Sequence, residues 1–167
     1  MKVYIVNGFG GSGKDSFENF VRQRSQSYGI KTSMVETVKK YAEQMGWKGG
    51  KTDKDRRFLS DLKDALERWD NTPLIDVYTK IKINSETASY CFVDAREKKD
   101  IEKIKTICEI NNWECKTILV DRKIMKDFGN HADDEVMDNE YNITIMNTGT
   151  IADLERQALA FIEAEGL

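Results

Sequence analysis

Proline is almost missing from this chain, with Pro73 alone among 167 residues, and histidine is as scarce, with His131 alone. The three cysteines, Cys91, Cys108 and Cys115, form no CxxC pair. A zinc cluster draws on closely spaced Cys and His, so none is expected; reduced thiols buried among apolar neighbours fit better. No apolar run approaches the roughly 20 residues that cross a bilayer. Val3 to Val6 is the only apolar stretch before the first glycine, too short for a secretory leader, so the protein is expected to be cytoplasmic. Excess positive charge is lacking too. The formal net charge is −3, which weighs against a long nucleic-acid surface but not against a local basic pocket.

What is present describes one globular domain over residues 1–167. Hydrophobic residues make up 40% and charged residues 33% of the chain, enough for a core under a solvated surface. Short apolar runs alternate with helical patterns. Strands are expected at Lys2–Val6, Thr32–Val35, Ser89–Val93, Lys116–Val120 and Asn142–Met146. Helices are expected at Gly13–Tyr28, Glu36–Met45, from Asp53 through Trp69, from Pro73 to Lys82, at Asp100–Asn112 and at Ile151–Ala164. Asp53 is the expected N-cap of the third helix, and Phe58, Leu59, Leu62, Leu66 and Trp69 its apolar stripe. Trp47 and Trp69 are read as packing residues. Strands separated by helices need crossover connections, which predicts an α/β protein with a five-stranded parallel sheet.

The most specific pattern follows the first strand. Gly8-Phe9-Gly10-Gly11-Ser12-Gly13-Lys14 satisfies G-x-x-x-x-G-K, with an amphipathic helix behind it. Glycines let main-chain N–H groups curl around phosphate oxygens. The helix turns its unpaired amides and positive dipole end on the same anion, and Lys14 reaches the outer phosphates as a mobile charge. This Walker A context predicts the three-layer P-loop fold and a bound nucleoside triphosphate, ATP. The next residue usually carries a hydroxyl for Mg²⁺. Here it is Asp15, followed by Ser16. A carboxylate is also a hard oxygen ligand, although capping of the helix explains Asp15 as well.

Ser12-Gly13-Lys14-Asp15 after a first strand resembles the phage-type deoxynucleoside monophosphate kinases and the animal-type phosphomevalonate kinases. Both are nucleoside monophosphate kinase-like P-loop proteins with aspartate at this place. The resemblance implies an acceptor-binding helical insertion, here residues 46–84, and a lid, here residues 121–141. At the end of the third strand, Asp94-Ala95-Arg96 looks like the Asp-x-Arg of those kinases. Asp94 would orient Mg²⁺ or its waters, and Arg96 would hold the acceptor or the transferring phosphate. Helix capping by Asp94 and a surface Arg96 are the plainer alternative, and Glu97 is a weaker metal candidate. Asn147-Thr148-Gly149-Thr150 resembles a turn that lies near the adenine in this group, and Asn147 and Gly149 are nucleotide-binding candidates on that basis. It is also an ordinary turn and N-cap. The guanine-reading Asn-Lys-x-Asp is lacking, which disfavours a GTPase switch.

Within the insertion, Arg56, Ser60 and Lys63 share one helical face. With Lys48 and Lys51 nearby, that face could receive an anionic acceptor, although neighbouring i,i+4 pairs also read as ordinary surface. In the lid, Arg122 is the candidate for neutralising charge in transfer. Lys123 and Lys126 follow it, and Asp133, Asp134 and Glu135 are candidates for a latch. His131 reads as structural or solvent-facing.

The expectation is therefore an ATP- and Mg²⁺-dependent kinase for a small phosphorylated acceptor, first of all a (deoxy)nucleoside monophosphate. Gly8, Gly10, Gly11, Ser12, Gly13, Lys14, Asp15 and Ser16 would hold the nucleotide, and Asp15 and Asp94 the metal. Lys14, Arg96 and Arg122 would stabilise the transferred group, and Lys51, Arg56, Lys63 and Arg96 would bind the acceptor. A nucleic-acid end, a modified base or a metabolite hydroxyl is the alternative acceptor, and a nucleotide-binding regulator without catalysis the alternative class. A homodimer is left open.

Overall fold

The computed structural model describes residues 1–122, 136 and 139–167. Among them five strands form one sheet: β1 (Lys2–Asn7), β2 (Gly29–Ser33), β3 (Tyr90–Asp94), β4 (Glu114–Asp121) and β5 (Ile143–Met146). Their order is β2-β3-β1-β4-β5, and every neighbouring pair is parallel. Six helices accompany them: α1 (Lys14–Arg24), α2 (Glu36–Gln44), α3 (Asp53–Trp69), α4 (Thr72–Asn84), α5 (Lys98–Ile110) and α6 (Ile151–Glu165). The expected α/β class and five-stranded parallel sheet are both observed.

Period-2 alternation divides the core into two layers. Val3 and Ile5 of β1 and Cys91 and Val93 of β3 face one side, where Val77 and Ile81 of α4 and Ile101 and Ile104 of α5 cover them. Tyr4 and Val6, with Tyr90 and Phe92, face the other, under Phe17 and Val21 of α1 and Leu154 and Phe161 of α6. The two central strands are buried on both faces, which is why they read as continuous apolar runs. Because all strands run the same way, their C-terminal ends gather at one edge. Asn7, Ser33, Asp94, Asp121 and Met146 are the last residues there.

Several boundaries differ from expectation. Helix α1 stops at Arg24, with Ser25 as an extended C-cap, and Tyr28 is 60% exposed rather than inward. Strand β2 begins at Gly29, three residues before the expected Thr32, because Gly29, Ile30 and Lys31 already pair with Tyr90, Cys91 and Phe92 of β3; a Cβ at Gly29 would come within 2.1 Å of the Tyr90 ring. Thr32 and Ser33 pair with Val93 and Asp94, so the strand ends before Met34. Thr52, not Asp53, caps α3, and Asp55 closes a capping box with it. Trp69 is 83% exposed and packs no core, since α3 rests mainly on α2 and α4. Trp47 is half-buried and donates its indole N–H to Asp55 Oδ1 at 3.0 Å. Of the expected lid, Lys123, Lys126, His131, Asp133, Asp134 and Glu135 lie outside the described residues.

The largest departure in the insertion concerns Lys63. Instead of facing solvent, it is the one buried residue of α3. Its ammonium lies 2.7 Å from Glu67, 2.5 Å from Glu97 and 2.8 Å from Asp100. Three carboxylates outcompete water for one ammonium, and the cluster fastens α3 to the start of α5. Lys99 adds a second cation, 3.0 Å from Glu67 and 2.9 Å from Glu97. Burial alone would raise the Glu67 and Glu97 carboxyls, but hydrogen bonds from Lys63 and Lys99 outweigh it and hold both below 4.5.

Lys63→Met is expected to lower the unfolding free energy by about 3–5 kcal/mol near neutral pH, the usual cost of stripping one partner from a buried ion cluster. Carboxyls with lowered folded-state pKa stabilise above their unfolded value, and that contribution is lost as pH falls. The difference between wild type and variant should therefore shrink below pH 4.5. Urea unfolding at several pH values measures it, and a difference that stayed constant would contradict the assignment.

Candidate active site at the end of β1

Helix α1 starts differently from α3 and α6. Those two carry complete capping boxes, Thr52 with Asp55 and Thr150 with Asp153. At α1 the N-cap is Gly13, with φ 99°, and it supplies no side-chain acceptor. The first amides of a helix have no partner within it, and here, as at α2, α4 and α5, no side chain supplies one from the cap; α1 differs from those in having a glycine there. An anion is the natural partner for such a terminus.

The loop before α1 is closely fitted. At Gly8, φ is 145°, and a Cβ would lie 2.4 Å from Val120 O. At Gly13 a Cβ would lie 2.4 Å from Asn147 Nδ2. Both positions thus need glycine for backbone conformation and for space. Ser12 N–H donates to Phe9 O at 3.1 Å, closing the turn. Lys14 Nζ donates back to the carbonyls of Gly8 and of Phe9, the latter at 3.1 Å, so the ammonium is held over the loop. Asn147 donates from Nδ2 to Ser12 O at 2.8 Å, and its own N–H donates to Asp121 O at 2.7 Å. The turn after β5 is thereby pinned against the loop. Gly149 stands further along that turn, against the Asp153 side chain of the α6 capping box. Arg122, just past β4, reaches the loop through Nη1 to Gly11 O at 3.3 Å.

Asp15 and Asp94 come together from separate elements. Asp15 is in the first turn of α1 and Asp94 ends β3. The ammonium of Lys31, on β2, is 2.5 Å from Asp15 Oδ1 and 3.0 Å from Asp94 Oδ2, and it also pairs with Glu18. One oxygen from each of Asp15, Glu18 and Asp94 lies within 4.8 Å of the others. The hydrogen bond from Lys31 holds the Asp15 carboxyl below its usual value. Glu18 is completely buried. Burial, reinforced by the Asp94 charge, pushes its carboxyl up, and the adjoining Lys31 ammonium pulls it back down.

Sequence reasoning missed Glu18 and Lys31. Glu18 lies on the core-facing side of α1 beside Phe17 and Val21, and a charged residue on an apolar face is the signal that could have found it.

The donor set suits a hard divalent cation. All three groups are carboxylates, and Asp94 Oδ1 is buried without a hydrogen-bond partner. Mg²⁺ therefore fits Asp15 and Asp94 chemically.

The remaining candidates spread along the same edge and into α3. Arg96 is half-buried two residues beyond Asp94, and its carbonyl accepts from Asn7 Nδ2 at 3.1 Å. Ser16 lies half-buried in the first turn of α1, and Gly10 in the loop. Lys51 is exposed and Arg56 half-buried at the start of α3. Lys63 is not on this surface, since its three carboxylates enclose it.

No protein-family model matches this chain, and no curated protein matches it in sequence. Solved structures do match in fold. The APS kinase of Mycobacterium tuberculosis, solved with AMPPNP and APS, is 11% identical over 99% of this chain and 98% of its own, with a TM-score of 0.58. A kinase structure from Chloroflexus aurantiacus, described as putative, is 11% identical over 98% and 96%, with a TM-score of 0.56. The shikimate kinase of Aquifex aeolicus is 14% identical over 99% and 98%, with a TM-score of 0.52. At such identities the likeness is one of fold: the described residues have the α/β architecture of these structures.

Proposed function

We propose that this protein is a kinase that uses ATP and Mg²⁺ to phosphorylate a small phosphorylated acceptor, with a (deoxy)nucleoside monophosphate as the first candidate. The observation that carries this reading is the uncapped start of α1, with Gly13 at the cap and Lys14 folded over the loop that precedes it. A polyphosphate is the ligand whose chemistry matches bare amides, a helix dipole and one ammonium together. The shared architecture with kinases, one of them solved with AMPPNP, supports the donor. The neighbours' different acceptors leave that side open.

In this reading Gly8 to Ser16 bind the triphosphate, with Asn147 and Gly149 beside the base. Asp15 and Asp94 would hold Mg²⁺, which supplies charge neutralisation on the phosphates. Lys14 and Arg122 face the phosphate end from the loop and from the end of β4. Arg96, with Lys51 and Arg56 from the insertion, would take the acceptor's anionic group. An oxygen of the acceptor attacks the γ-phosphorus, the bond to the β–γ bridging oxygen breaks, and ADP leaves with the electron pair. An acceptor phosphate is already ionised, so this route needs no general base; positioning and electrostatics carry it. A second reading is a hydroxyl acceptor. It is favoured by Asp94, whose buried Oδ1 has no hydrogen-bond partner and could take the proton.

Lys14→Ala is expected to reduce phosphotransfer by about 10²–10³-fold, the usual effect of removing one preorganised charge-stabilising donor, while circular dichroism and melting temperature stay close to wild type. Undiminished turnover would refute the kinase assignment. An acceptor screen with γ-labelled ATP against nucleoside and deoxynucleoside monophosphates should give a labelled diphosphate. Label appearing only on hydroxyl compounds such as shikimate or gluconate would select the second reading, and in that case Asp94→Asn should abolish transfer.

A further inference from the structure

Of the strand-end cluster, the proposed reaction uses neither Glu18 nor Lys31. Lys31 lies on the edge strand β2, and its side chain is 22% exposed. Its ammonium touches both aspartates assigned to the cation and, behind them, Glu18, which is fully buried. The three carboxylates differ in access. Asp15 is 86% exposed, Asp94 21% and Glu18 0%. The cluster therefore runs from solvent at Asp15 to the interior at Glu18, with the ammonium in the middle.

Two aspartates whose oxygens lie within 4.8 Å of each other repel, and a cation between them relieves that repulsion. Lys31 already supplies one. A divalent ion on the same two carboxylates would face a positive charge 2.5 Å from one of them and 3.0 Å from the other. Both cannot hold the same oxygens at full contact. The ammonium, tethered to β2, has one carboxylate left that the ion does not need, and that is Glu18.

We infer that Lys31 is a positioning residue that acts as a tethered counter-ion: it holds Asp15 and Asp94 together, competes with Mg²⁺ for them, and is retained on Glu18 when the divalent ion binds. This rests on the assignment of Asp15 and Asp94 as cation ligands and extends it to residues outside the phosphate-loop motif. It gives the buried Glu18 a purpose, since a carboxylate at 0% exposure is costly unless a cation stays with it.

The test is binding of Mn²⁺ alone to the full-length protein, followed by electron paramagnetic resonance without nucleotide. Lys31→Met is expected to bind Mn²⁺ at least about tenfold more tightly than wild type, because a full positive charge at contact distance has gone. Lys31→Arg should restore affinity to near the wild-type value. If Lys31→Met fails to fold with Glu18 left unpaired, the double variant Lys31→Met with Glu18→Gln removes both charges and should show the same tightening. Glu18→Gln alone leaves the competitor in place and should not tighten binding. Lys39→Met is the control, because its charge reaches Asp15 only through space; it should change affinity less than threefold. The Mg²⁺ concentration for half-maximal ATP turnover should fall in parallel with the Mn²⁺ constant. Equal affinity in wild type and both Lys31→Met variants, weaker binding in them, or equal tightening in Lys39→Met would overturn the inference. So would no Mn²⁺ binding by any variant at millimolar concentration. The Mn²⁺ results are read without phosphate transfer, so loss of this inference leaves the Lys14→Ala experiment to decide the kinase assignment separately.

Discussion

A helix ordinarily begins with a side chain that accepts from its first amides, because those donors have nowhere else to turn. This chain follows the habit at α3 and α6, where Thr52 and Thr150 form full capping boxes. At α1 it does not. Gly13 occupies the cap in a left-handed conformation, and a side chain added there would strike Asn147. The cap that would stabilise α1 is thus forgone where the loop comes nearest the turn after β5. What sets α1 apart from the other helices without a side-chain cap is the glycine at its cap and the Lys14 ammonium over the loop before it, and an anion is the ligand that such a terminus favours.

The sheet supplies the rest by direction alone. Parallel strands bring their C-terminal ends to one edge, so Asn7, Asp94, Asp121 and Met146 end beside one another although far apart in sequence. Register then sets depth: Val6 pairs with Asp94 on one side and with Ile118 on the other. Asp94 therefore stands level with the end of β1, just before the glycine-rich loop. The aspartate in the first turn of α1 and the one at the end of β3 meet because β1 and β3 are neighbours, and Lys31 meets both because β2 is next in line.

Much of this was legible in the residues. The alternation of apolar runs and helical stripes gave the parallel sheet, and the glycine-rich turn between β1 and α1 was readable because each of its residues has a local reason to be there. Asp94 was readable as an acid at the end of an apolar strand. What could not be read was set by partners distant in sequence. Lys63 matches an exposed cationic face by helical spacing, yet Glu97 and Asp100 draw it inward from a helix more than thirty positions away. Trp69 belongs to the apolar stripe by periodicity, but α3 rests on other helices rather than on the sheet, so its end stays in solvent. Gly29 looks like a helix stop and is a strand residue, because only the Tyr90 ring across the ladder reveals why no side chain fits. Glu18 was overlooked since its counter-charge, Lys31, sits thirteen residues on, in a strand whose start was placed too late.

Two buried or half-buried ammoniums, each with three carboxylates, are the electrostatic frame of the site. Lys31 gathers Asp15, Glu18 and Asp94; Lys63 gathers Glu67, Glu97 and Asp100. The two clusters meet on one short segment, since Asp94 belongs to the first and Glu97 and Asp100 to the second. Arg96 lies between them, with its carbonyl held by the side chain of Asn7. The main chain on either side of Arg96 is thereby fastened to α1 through Lys31 and to α3 through Lys63. An arginine placed in this way has its backbone fixed relative to both the phosphate loop and the insertion, which is what transfer between a donor on one and an acceptor on the other would require.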